Sequence, residues 1–149
     1  MALAAHDAAD RTDQLIILTE RLTDLIGQQC QCFEQHRPQD AARLGEETSR
    51  LANLYRHEST RVRADPGLVS AAPRELRQRL VQATEAFDAM LRRHGRALTA
   101  AKTVTEGLVR AIADEVASRR EQLSGYGPTA KPPASSQSAA TAITLNRKA

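Results

Sequence analysis

Along the second half of the chain, apolar or small residues recur at Leu76, Leu80, Ala83, Phe87, Met90 with Leu91, Leu98, Ala101, Leu108 and Ile112. Steps of three, four and seven mark one face of an α-helix, and their mean lies close to a 3.5-residue period. The pattern predicts a single amphipathic helix from Pro73 to Ser124. Pro73 suits the first helical turn, where a missing N–H costs nothing. Gly125 suits the end, and Pro128 lies just beyond it. About 50 residues rising about 1.5 Å each give a helix on the order of 75 Å long. Its apolar stripe needs a partner, because a helix of this kind is not stable alone in water.

The first half supplies a matching pattern. Asp10 or Thr12 can cap a helix that places Leu15, Leu18, Leu22, Leu25, Cys32 and the neighbouring Phe33 on one side, with residues 1–9 frayed. Gly27, Gln28 and Gln29 weaken that stripe. The run His36-Arg37-Pro38-Gln39-Asp40 predicts a break or kink, since proline disfavours helix in the residue before it. The stripe resumes at Ala41, Leu44, Leu51, Leu54 with Tyr55, and Val62, one residue out of phase with strict sevens. A kink near Pro38 would absorb the offset, giving a first arm of two stacked helices or one kinked helix.

Arg63-Ala64-Asp65-Pro66-Gly67 is the strongest turn signal. The expected fold is therefore all-α: a long antiparallel helical hairpin or coiled-coil-like bundle over 1–124. Its arms cover about 10–63 and 73–124, its turn is 64–72, and a tail follows over 125–149. Two helices bury only a narrow seam. A homodimer, a fold-back into four helices or a bound partner would complete the core.

Composition narrows this further. Apolar content is 41%, aromatics are 3% and Trp is absent, which favours a thin bundle over a thick globule. The tail holds Lys131, Arg147 and Lys148 and no acid, so 18 of the 21 bases and all 18 acids lie before it. The body is electroneutral, and the net charge of +3 belongs to the tail. That is a poor basis for nucleic-acid binding, and neither Arg92-Arg93 nor Arg119-Arg120 is interleaved with aromatics. The first residues carry His6, Asp7 and Asp10 and lack the apolar core of a secretory signal. No window approaches 18 apolar residues, so no membrane insertion is expected. Two cysteines without a signal peptide read as reduced cytoplasmic thiols. The tail, rich in Pro, Ser and Ala, predicts disorder, interrupted by the apolar island Ala142-Ile143-Thr144-Leu145. Ile143 and Leu145 are candidate recognition residues that order on binding.

Candidate chemistry is sparse. Cys30 and Cys32, two apart on a helix, sit about 200° apart around its axis and cannot chelate one metal. His57-Glu58 opens like a His-Glu-x-x-His zinc motif, but Arg61 stands where the second histidine is required. His94 on a helix raises a phosphotransfer reading, which demands an exposed imidazole. Glu46, Glu47, Asp114 and Glu115 are interleaved with arginines as surface ion pairs are. No cofactor, metal or enzymatic activity is expected.

The order of features resembles the FlgN-type flagellar export chaperones. The resemblance lies in Leu22 to Glu34, in Asp40-x-x-x-Leu44, in the run from Glu46 to Glu58, and in the second helix around Leu98 to Val109. It continues into Tyr126-Gly127 and the low-complexity tail. The resemblance implies a cytoplasmic chaperone of type III protein export in flagellum biogenesis. Such a protein binds hook–filament junction proteins and keeps them soluble and unassembled until export. It implies a client seat at Val104, Leu108, Ile112, Val116 and Leu123, by helix-in-groove recognition. It also implies Tyr126 as a docking residue for the export gate. The residues by themselves support a binding protein, with a structural coiled-coil component of a larger assembly as the alternative.

Overall fold

The structure, a computed structural model, describes residues 2–125. The tail expected to be disordered lies outside the described residues, with Tyr126, Ile143 and Leu145. The chain divides into two compact units, Met1–Val109 and Arg110–Ala149. Five helices form in order: α1 Ala8–Glu34, α2 Pro38–Arg43, α3 Gly45–Ala64, α4 Gly67–Ser70 and α5 Arg74–Ser124. The described residues contain no strand, so the all-α expectation holds.

Helix α1 begins earlier than expected. Asp7, in extended conformation, is the cap, and its carboxylate accepts the Asp10 N–H at 2.8 Å. Asp10 lies inside the first turn and accepts the His6 N–H at 2.9 Å. Thr12 instead donates to the Ala8 carbonyl at 2.7 Å. The Asp7 carboxylate satisfies an N–H that the helix leaves open, and Asp10 ties down the residue before the cap, so residues 8 and 9 are helical rather than frayed.

The first arm is two helices with a short one between them. His36 ends α1 in the left-handed region, at φ 57°, and Pro38 opens α2 at its first turn. The two main segments were expected end to end; they lie side by side. Arg21 meets Glu47 at 2.8 Å and Arg11 meets Glu58 at 2.9 Å, so α1 and α3 run antiparallel. Helix α5 runs parallel to α1: Asp13 faces Arg79 at 3.9 Å and Glu34 faces Arg93 at 2.6 Å. Tyr55 of α3 packs edge-on against Phe87 of α5, with ring centroids 5.0 Å apart. The first unit is thus an up-down-up three-helix bundle.

Helix α1 lies at its centre. Leu15, Ile16, Leu18, Leu22, Leu25, Ile26 and Cys30 are all buried, together with Thr12 and Thr19. These positions wrap around more of the helix than one stripe covers, because α2, α3 and α4 all pack on it. Each such leucine or isoleucine contributes roughly 1.5–3 kcal/mol on burial. Leu22, Ile26 and Phe87 form the inner cluster, with Leu51, Ala52, Tyr55 and Met90 packed around it. Gly27 leaves room for Met90: a Cβ there would lie 3.3 Å from the Met90 methyl carbon.

The turn at Asp65-Pro66-Gly67 forms where expected. The Asp65 carboxylate accepts the Gly67 N–H at 3.0 Å, and α4 and Pro73 then lead into α5.

Candidate functional site: a bare apolar stripe on α5

Helix α5 changes character along its length. In its first part the inward positions keep strict sevens: Leu76, Ala83, Met90 and Ala97 form one row, and Leu80, Phe87, His94 and Ala101 the other. Ala83, Phe87 and Ala97 are buried, and the remaining five are half-buried. This is the row that faces α1 and α3.

The apolar pattern continues, and the cover does not. Val104 and Leu108, the last of the first unit, are 55% and 59% exposed. Ile112, Val116 and Leu123 of the second unit are 55%, 45% and 78% exposed. Val109, at 61%, belongs to the same bare set and was not among the expected binding residues. Both rows of sevens run on unbroken into this stretch, Ala97 to Val104 and Ala101 to Leu108, so the spacing carries no mark of where the cover stops.

Charged side chains along this stretch pair along the helix. Lys102 lies 3.7 Å from Glu106, and Arg119 lies 2.8 Å from Glu115. Both pairs are exposed and four residues apart, an arrangement that supports the helix itself. A recess of about 650 Å³ opens beside Arg119, Gln122, Leu123 and Gly125. The stripe thus presents large aliphatic side chains with little directional chemistry, which suits an amphipathic segment of another polypeptide.

The reactive side chains of the first unit are occupied by structure. Glu58 is fully buried; its carboxylate accepts from Arg11 at 2.9 Å, from Arg61 at 3.2 Å and from the Leu3 N–H at 3.0 Å. Burial pushes its pKa up, but the Leu3 N–H and the guanidinium groups of Arg61 and Arg11 outweigh that and hold it below the usual value. Arg61, the residue that spoils the zinc motif, is one of the partners that make a buried Glu58 tolerable. Cys30 is buried, and its thiol donates to Glu34 at 3.3 Å. Burial first, and that bond second, push the thiol pKa up, away from a reactive thiolate. Cys32 points elsewhere, half-buried, as the helical spacing required.

His94 stacks edge-on against Phe33, centroids 5.9 Å apart, and its Nε2 is buried without a hydrogen-bond partner among the described residues. Burial lowers its pKa. The ring is half-buried against Phe33 rather than open to solvent, which weighs against a phosphotransfer role. Among the described residues, no group of three His, Cys, Asp or Glu side chains is gathered to hold a metal ion. No helix among them is long and apolar enough to cross a membrane.

No family model and no solved structure matches this chain. It is 63% identical, over 150 aligned positions that cover all of both chains, to the flagellar basal-body protein FlbY of Caulobacter vibrioides. The chain belongs to the FlbY family. This FlbY-family membership fits the flagellar direction of the sequence resemblance. It does not extend to the FlgN type.

Proposed function

We propose that this FlbY-family chain is a flagellar export chaperone that holds a hook–filament junction protein on the bare stripe of α5. The observation that carries this reading is the contrast within one helix: its row of apolar residues is packed through Ala97 and exposed at Val104, Leu108, Ile112, Val116 and Leu123. Exposed aliphatic side chains at helical spacing, Val104 and Leu108 in the first unit and Ile112, Val116 and Leu123 in the second, are the kind of anchor that helix-in-groove recognition uses. The client's amphipathic terminal helix would lay its apolar face there, leaving it soluble and unable to assemble. The work is binding alone, with no cofactor, metal or covalent step, in the cytoplasm before export. Tyr126, next in sequence after Gly125, would contact the export gate. The flagellar name of the relative supplies the context.

A second reading is favoured by one observation, the words "basal-body" in that relative's name. In it the chain is a structural coiled-coil component that self-associates through the same stripe. Co-purification with hook–filament junction proteins, followed by light scattering, separates the two. A stoichiometric complex that Leu108→Asp disrupts supports the chaperone. A stable oligomer that ignores every such client, and that Leu108→Asp breaks apart, supports the structural component.

A further inference from the structure

The stripe that binds another polypeptide has an apolar segment of the same chain tethered close to it. We propose that, without a partner, Ile143 and Leu145 of the tail seat on the α5 stripe about Ile112 and Val116, keeping it covered. The inference rests on reading the stripe as a protein-binding face.

Reach is the first argument. Gly125 to Ile112 is 13 residues of helix, about 20 Å at the usual rise. Gly125 to Ile143 is 18 residues of chain, able to span on the order of 60 Å when extended. The tail can therefore turn back at Gly125-Tyr126-Gly127-Pro128 and lay its end along the stripe. Tethering makes this encounter intramolecular, so even a weak contact is populated when the geometry allows it.

Composition is the second argument. Beyond Tyr126, the tail's only large apolar side chains are Ile143 and Leu145. Its charged groups are Lys131, Arg147 and Lys148, with no acid; α5 from Lys102 to Glu121 carries four bases and four acids, so charge neither favours nor opposes the seat and the apolar pair carries it. A second copy laid antiparallel about Ile112 would put Arg110 of each copy opposite Asp114 of the other, and dilution separates that occupant from the tail.

Methyl NMR of the full chain, with no client present, tests this. Ile143→Ser with Leu145→Ser is compared with the parent chain, both also measured after dilution. The expected result is a shift of the Ile112, Val116 and Leu123 methyl signals, unchanged on dilution, with Leu22 and Ile26 of the bundle core unmoved as the folding control. Reciprocally, Ile112→Ala moves the Ile143 methyl signal of the tail. Stripe signals identical in parent and variant overturn the proposal. A difference that disappears on dilution also overturns it and assigns the stripe to a second copy. Since no client enters the measurement, failure here leaves the chaperone reading standing, and failure to bind a client leaves this result standing.

Discussion

The two ends of α5 share one helix and one kind of residue and differ in what lies against them. Around Phe87 the apolar row is closed over by α1 and α3. Around Leu108 and Ile112 the same kind of row faces solvent. A helical period tells which face of a helix is apolar. It does not tell whether that face is already occupied, because occupancy depends on how far the neighbouring helices reach. Here α1 ends at Glu34, level with Arg93 and His94, and the cover gives out beyond that level, after buried Ala97 and half-buried Ala101.

The sharpest way to break this comparison is to remove one large side chain from each end. Phe87→Ala leaves a cavity in the bundle and is expected to cost about 3–5 kcal/mol in denaturant unfolding. Leu108→Ala should stay within about 0.5 kcal/mol, since it removes no buried contact. A large loss at Leu108 in a monomeric sample would show that cover by the chain's own residues extends to Leu108. Within the packed end, Glu58→Ala should rank with Phe87→Ala. It strands the buried Arg11 without its carboxylate, a loss of roughly 3–5 kcal/mol.

A pH titration gives a smaller effect, confined to the packed end. Burial lowers the His94 pKa below its ordinary value of 6.5. The unfolded chain then binds the proton more readily than the folded one. Stability is full above pH 6.5 and falls as acid is added, until the folded-state pKa is passed. His94→Leu should flatten unfolding stability in that window. An unchanged slope would mean that the ring is not buried in solution. The smallest effect compares two glycines. Gly27→Ala gains helix propensity but pushes on the Met90 methyl, and should raise stability by less than about 1 kcal/mol. Gly107 has nothing within 4 Å of an added Cβ. Gly107→Ala should raise helicity in far-UV circular dichroism while leaving the bundle's unfolding midpoint in place.

Much of the fold was legible for local reasons. Pro38, Asp65-Pro66-Gly67, Pro73 and Gly125 mark turns and ends through backbone constraints that no tertiary contact alters. Of the stripe from Leu76 to Ala101, Leu76, Leu80, Ala83, Phe87, Met90 and Ala101 do face inward, but Leu91 and Leu98 are exposed and Ala97 is buried in their stead. The first arm was harder. Its offset at Pro38 signalled a break but not its angle, and a helix folded back looks, in periodicity, much like a helix stacked on end. Ile16, Ile26 and Cys30 were missed because a central helix buries more than one stripe. Glu58 read as part of a failed metal motif, since its partners Arg11 and Leu3 lie 47 and 55 residues away.

The sequence by itself determined helix type, helix ends and the apolar face of α5, all of which follow from interactions within a few residues. It also set the helical spacing of Val104, Leu108, Ile112 and Val116, without marking them as uncovered. Only the tertiary structure decided that α1 is the centre, that Glu58 is a buried anchor and that the stripe is open beyond Ala101. Those outcomes depend on which helices lie beside one another and where each one stops. A contact between residues far apart in the chain leaves no period in either segment.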